Sequence, residues 1–237
     1  MPWITRLSLG VDYYPETWDP TQWELDATAM KAAGITTVRV AEFAWHRFQS
    51  HQGAAYNFTW LDAALGVLSS HGVGAIVGTP TASPPQWLYK IDPTISLVDF
   101  NQQRLGTGSR QNMNHLHPLI QSSTRDIVTA IALHYANDSR VIAFQIDNEI
   151  HGERDYSSLT QAGFADWLEN KYTTVDAMNS AWGTQFWGEE YDQFFDVPVS
   201  VHSPPPRSAR TCTIYTHDTQ HLLHHIFLAS LEHARRS

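Results

Sequence analysis

One stretch, Val141-Ile-Ala-Phe-Gln-Ile-Asp-Asn-Glu149, constrains this chain more than any other. Its β-branched and aromatic run reads as a strand buried on both faces. It then breaks into Asp147, Asn148 and Glu149. An ionised carboxylate is costly to bury unpaired, so these acids need partners or a site to face. In an α/β barrel the carboxyl ends of the strands form the face where chemistry is done.

Three earlier segments have the same build. Leu7–Tyr14 alternates like a strand and breaks at Pro15, Ile35–Ala41 runs into Glu42-Phe-Ala-Trp45, and Val73–Gly78 stops at Thr79-Pro80-Thr81. Helices are expected between them. Asp19 caps the first, with Pro20 at its first position and Gly34 beyond its end. Asn57–Ser70 lines Leu61, Leu65 and Leu68 along one face, and Thr124–Tyr135 offers Ile127, Val128, Ile131 and Leu133. Leu159–Tyr172 is a further helix, and 214–235 another, beyond the break at Pro204-Pro205-Pro206. The segment Ser83–Ser123 has little periodicity; so long a connection is either functional or carries short local structure.

Repeated strand–helix alternation implies a mostly parallel sheet. A doubly wound nucleotide fold would place a glycine-rich turn between its first strand and helix, and none is there. Gly72-Val-Gly74-Ala-Ile-Val-Gly78 resembles that fingerprint but precedes and fills a strand, out of context for binding phosphate. A barrel fits better. Polar residues follow all four strands: Asp12-Tyr13-Tyr14, Arg39 with Glu42, Thr79 to Thr81, and Asn148-Glu149.

Composition excludes several partners. The net charge is −9 without a basic run, which argues against nucleic acid. No stretch reads as a membrane span or a signal peptide, so a cytoplasmic location is expected. A single cysteine, Cys212, leaves no disulfide framework and no cysteine-based metal site. His217, His221, His224 and His225 sit at helical spacing, but with no carboxylate interleaved they read as a helix face rather than a zinc site. No cofactor or metal is called for. The many aromatic residues, nine Trp and nine Tyr among them, suit stacking on sugar C–H faces as well as ordinary core packing.

Cleaving a glycosidic bond takes one carboxylic acid to protonate the leaving oxygen and a second carboxylate across the anomeric carbon. Glu149 suits the first role; the plain alternative is a capping Glu at the start of a loop. Asn148 can hydrogen-bond a sugar hydroxyl. Arg39 and Arg110 can donate in a fixed fork to a carboxylate or to hydroxyls, or form ordinary surface ion pairs. His115 and His117 could reach a sugar, though nothing in their spacing requires it.

At this point the sequence resembles a known family. Gly10-Val-Asp-Tyr-Tyr-Pro-Glu16, Val38-Arg-Val-Ala-Glu-Phe-Ala-Trp45, Gly78-Thr-Pro-Thr-Ala-Ser-Pro-Pro-Gln-Trp87, Gly108-Ser-Arg110, Gln145-Ile-Asp-Asn-Glu149 and Asn179-Ser-Ala-Trp-Gly-Thr-Gln-Phe-Trp187 are similar to segments of the glycoside hydrolase family 42 β-galactosidases, in the same order. The resemblance implies an α/β fold, the N-terminal half of a (β/α)8 TIM barrel of about four βα units, with residues 1–237 forming part of one catalytic domain. It implies retaining hydrolysis of terminal β-D-galactosides, with Glu149 as general acid/base, Asn148 and Arg110 binding substrate, and Arg39 near the nucleophile. A homo-oligomer is implied too, since members are often trimers.

Three departures shape the expectation. The family's nucleophile is a Glu on the seventh strand, beyond this chain, so the chain alone is expected to be inactive. Four zinc-binding cysteines of some members are replaced here in Gln111–Asn114 and Ile150–Glu153, so that metal is not expected. An acid–proline pair usual in the family reads Gln49-Ser50. Two alternatives share the Asn-Glu pair: a barrel hydrolase of another β-glycoside or of α-L-arabinopyranosides, and a sugar-binding remnant without chemistry.

Overall fold

Strand–helix alternation produces four strands, β1 (Gly10–Asp12), β2 (Thr37–Val40), β3 (Gly74–Gly78) and β4 (Val141–Gln145). They pair in parallel in chain order, β1-β2-β3-β4. A doubly wound sheet reverses its strand order at a switch point; this one always steps to the same side, as a barrel does. The computed structural model describes residues 8–149 and 155–199. The helix expected over 214–235, its four histidines, Cys212, the triple proline and Ile150–Glu153 lie outside the described residues.

The described chain divides into two compact units, 8–88 with 124–149, and 89–123 with 155–199. In the first, α1 (Pro20–Ala32) follows β1, α2 (Trp45–Phe48) and α3 (Thr59–Ser70) follow β2, and α5 (Pro118–Tyr135), which belongs to this unit from Thr124 on, precedes β4. Asp19 caps α1 by accepting from the Thr21 amide at 2.9 Å. Val38, Val40, Ala75 and Val77 are closed to solvent. So are Ala27 of α1, Leu61, Leu65 and Leu68 of α3, and Ile127 and Ile131 of α5. Burying each leucine contributes about 2 kcal/mol relative to leaving it exposed. The period of two puts Thr37, Arg39 and Ile76 on the opposite face, where they are half-buried.

Two expectations change here. β4 is not buried on both faces: its residues are half-buried and Ile142 is 46% exposed. The reason is position, since among the described residues β4 is an outer strand with a partner on one side only. α5 begins at Pro118 rather than Thr124. Pro118 is tolerated in the first turn because its missing N–H would have no helical partner there. The His117 Nδ1 caps that turn by accepting from the Leu119 amide at 3.2 Å.

In the second unit the segment after residue 88 holds local structure. α4 (Gln86–Ile91) ends in it, a 3₁₀ turn spans Pro93–Ile95, and antiparallel bridges join Ser96 to Met113 and Val98 to Arg104. α6 (Ser158–Tyr172) and α7 (Val175–Trp182) follow; α7 was not expected from apolar spacing. Phe164, Leu168, Met178, Val197 and Val199 form the core of this unit. Beside it the buried Asp155 carboxylate accepts from the Val98 amide and the Asn114 side-chain amide, both at 2.7 Å. It also accepts from the Ser157 hydroxyl at 2.6 Å and from Thr160 Oγ1. Among the described residues no helix is long and apolar enough to cross a membrane.

Two substitutions test these supports by urea denaturation. Asp155→Ala leaves several buried donors unpaired and should cost about 3 kcal/mol. Gly78→Ala should cost about as much, because a Cβ there would lie 2.5 Å from the Glu42 Cβ and 2.8 Å from its Cα.

Candidate active site

Strand register brings a charged cluster to the carboxyl ends of the sheet in the first unit. Arg39 is paired in register with Asp12, and Gly78 with Gln145. The Arg39 Nη2 donates to Asp12 at 2.8 Å. Its Nη1 donates to the Gln145 side-chain oxygen at 3.1 Å and to the Asn148 Oδ1 at 3.3 Å. Its Nε lies 3.1 Å from the fully buried Glu42 carboxylate. Burial works against the charge of Arg39, but Glu42 and Asp12 outweigh it and hold the guanidinium pKa above its ordinary value.

β3 and β4 supply a second, buried part. The Asp147 backbone N–H donates to Thr79 Oγ1 at 2.7 Å, and the Thr81 hydroxyl donates to the Asp147 carboxylate at 2.6 Å. That carboxylate also accepts from the Asn148 amide at 2.6 Å. Asp147 is therefore a paired anchor, which answers the cost of burying it. Gln145 donates to the Asp147 carbonyl at 2.8 Å and to the Asn148 Oδ1 at 3.2 Å. Two donors thus turn the Asn148 side-chain oxygen toward Arg39 and Gln145. Asp147 and Glu149 both have left-handed backbone, with φ of +56° and +48°. Such turns cost roughly 1 kcal/mol or more for a non-glycine residue and cluster at functional sites.

Of the residues expected from sequence, Arg39, Asn148 and Glu149 come together here. Asn148 is buried, and Glu149 is exposed just past it. Arg110 belongs to the second unit, where it is exposed in the segment between α4 and α5. His117 is in structural use: besides capping α5, its Nε2 lies 3.0 Å from the Thr94 hydroxyl and 3.4 Å from the Asp92 carboxylate. Sequence reasoning missed Gln145 because it sits within a strand-like run. It missed the anchoring role of Asp147 because Thr79 and Thr81 are distant in sequence. Among the described residues, no cluster of three or more His, Cys, Asp or Glu is arranged to hold a metal ion.

The sequence profile of the glycoside hydrolase family 42 β-galactosidases matches residues 12–233. The chain belongs to glycoside hydrolase family 42. The β-galactosidase BgaA of a Thermus species is 40% identical over 204 residues, 84% of this chain and 32% of that protein. The crystal structure of the β-galactosidase from the psychrophilic Marinomonas ef1 matches with a TM-score of 0.86 at 32% identity. The match covers 96% of this chain and 36% of that one. The β-galactosidase of the Antarctic haloarchaeon Halorubrum lacusprofundi matches at a TM-score of 0.87 and 31% identity, over 96% of this chain and 35% of its own. The chain thus spans about a third of the length of these family 42 relatives. Its four parallel strands correspond to the N-terminal part of the family's TIM-barrel catalytic domain.

A further acid near this cluster, Glu16, is set apart by its environment. Burial pushes the Glu16 carboxyl up from the ordinary 4.5 to about 7, and the Glu42 charge adds to the rise against its own backbone N–H and Arg47. Its Oε2 is buried with no hydrogen-bond partner among the described residues. Between about pH 4.5 and 7 the folded protein keeps a proton that the unfolded chain has released. Folding stability from this group is therefore highest below 4.5, falls as pH rises, and is lowest above 7. Glu16→Gln should raise the melting temperature little at pH 4 and most at pH 8, measured by differential scanning calorimetry at both values.

Proposed function

We propose that this chain carries the acid/base side of a retaining β-galactosidase site. The observation that carries the reading is Glu149: an exposed carboxylate at the carboxyl end of β4, held by a left-handed turn whose preceding residues are locked to Arg39, Thr79 and Thr81. Membership of family 42 supports it. On this reading Glu149 protonates the glycosidic oxygen as the bond to the anomeric carbon breaks. It then takes a proton from the water that releases the sugar. Asn148 and Arg110 hydrogen-bond sugar hydroxyls, and Arg39 stands beside the nucleophile. The nucleophile is assigned to the part of the relatives' length that this chain does not span. Both compact units belong to one catalytic domain, and the assembled protein is a homo-oligomer.

The test is galactose binding by calorimetry, together with hydrolysis of an aryl β-D-galactoside by the 237-residue chain and its Glu149→Gln variant. Galactose should bind both with similar affinity, and neither should turn over substrate, as a sugar-binding remnant would also behave. Joined to the remaining part of the Marinomonas relative, the chain should gain a turnover that Glu149→Gln abolishes, and no gain would favour the remnant. Turnover by the chain alone that Glu149→Gln abolishes would keep the role of Glu149 but place the nucleophile within this chain. Turnover that survives the substitution, or no binding of galactose, would overturn the reading.

A further inference from the structure

We propose that Glu42 is a positioning residue, holding the Arg39 guanidinium by its Nε edge so that both Nη atoms are presented to the strand ends. The inference rests on the reading of Arg39 as part of a sugar site. Glu42 is fully closed to solvent, and its carboxylate lies 3.1 Å from the Arg39 Nε. Its other close partner is the Tyr14 hydroxyl, which interacts with both the Glu42 carboxylate and Arg39 and whose pKa burial and Glu42 raise. A fully buried carboxylate with so few partners is a costly way to fill space, and an apolar residue of similar size would ordinarily pack at least as well.

The backbone makes two further concessions to the same side chain. Ala41 adopts a left-handed φ of +72°, immediately before Glu42. On β3, Gly78 leaves out the one atom that would strike the Glu42 backbone. Neither choice favours a helix or a strand. Both let Glu42 sit three residues past Arg39, against its inner edge. Asp12 cannot do this alone. It holds Nη2 but is 53% exposed, and Gln145 and Asn148 hold Nη1; Glu42 is the carboxylate against the Nε edge.

The experiment follows the Arg39 Nε–H signal in the 15N-labelled chain, assigned by its disappearance in Arg39→Lys. In the wild type this proton should exchange with water more slowly than that of the exposed Arg125. In Glu42→Met the protection should be lost while the melting temperature changes little, because Arg39 keeps Asp12 and contact with solvent. Glu42→Gln, which retains an acceptor, should restore part of the protection, and Asp12→Asn should leave it in place. Affinity for galactose should fall about tenfold in Glu42→Met, as the unheld guanidinium loses one hydrogen bond to the sugar. An unprotected proton in the wild type, protection that survives Glu42→Met, or a Glu42→Met chain that fails to fold would each overturn the proposal. Absence of galactose binding in the wild type would count against the galactoside reading alone, since the Arg39 signal decides the role of Glu42 without a sugar.

Discussion

The guanidinium of Arg39 ties three of the four strands at their carboxyl ends. It projects from β2, reaches Asp12 on β1, and reaches Gln145 and Asn148 at the end of β4. The contacts are unequal. The Asp12 pair is largely solvated and worth about 1 kcal/mol or less. The contacts to Gln145 and Asn148 are better shielded, and hydrogen bonds from a charged donor there contribute about 1.5–3 kcal/mol each. Arg39 therefore does more to fix β4 relative to β2 than to fix β1. The remaining strand contributes no charge. β3 supplies the missing side chain at Gly78 and, just past its end, the hydroxyls of Thr79 and Thr81 that hold Asp147.

Much of this was legible in the sequence because it is local. Apolar runs stop at polar residues, and those residues lie at the sheet's carboxyl ends. Asp19-Pro20 and Gly34 bracket α1 as their chemistry requires. The alternation of elements pointed to a barrel, and the strand order agrees. What could not be read is what depends on distant partners. Thr81 meets Asp147 across 66 residues, and Arg39 meets Asn148 across 109. No spacing rule records such pairs. The start of α5 was hidden for a different reason: Pro118 looks like a break until an imidazole is seen to cap the turn.

The misjudged burial of β4 has a physical content of its own. Local sequence reports how apolar a strand is, while burial depends on how many neighbours it has. Val141-Ile-Ala-Phe reads as a strand flanked on both sides, yet it has one strand neighbour among the described residues. The same mismatch occurs at the other outer strand, where Leu9 is 55% and Val11 38% exposed. Apolar residues on exposed, unpaired strand edges invite pairing with further strands. In a closed barrel each strand has two neighbours, and such a sequence is then in its proper surroundings.

The acids at the strand ends differ in enclosure and in partners. Asp147 is buried but satisfied by hydroxyl and amide donors, so its carboxylate anchors the turn. Glu42 is buried against a guanidinium. Glu16 is half-buried without a comparable cation, and desolvation drives it toward the neutral form near pH 7. Glu149 and Asp12 are the acids of this cluster turned to solvent, and Asp12 is paired with Arg39. A carboxyl group that must exchange protons with a substrate needs access, whereas one that holds a turn or an arginine needs enclosure. The sorting of these acids by enclosure and partner supports the proposal that proton transfer falls to Glu149.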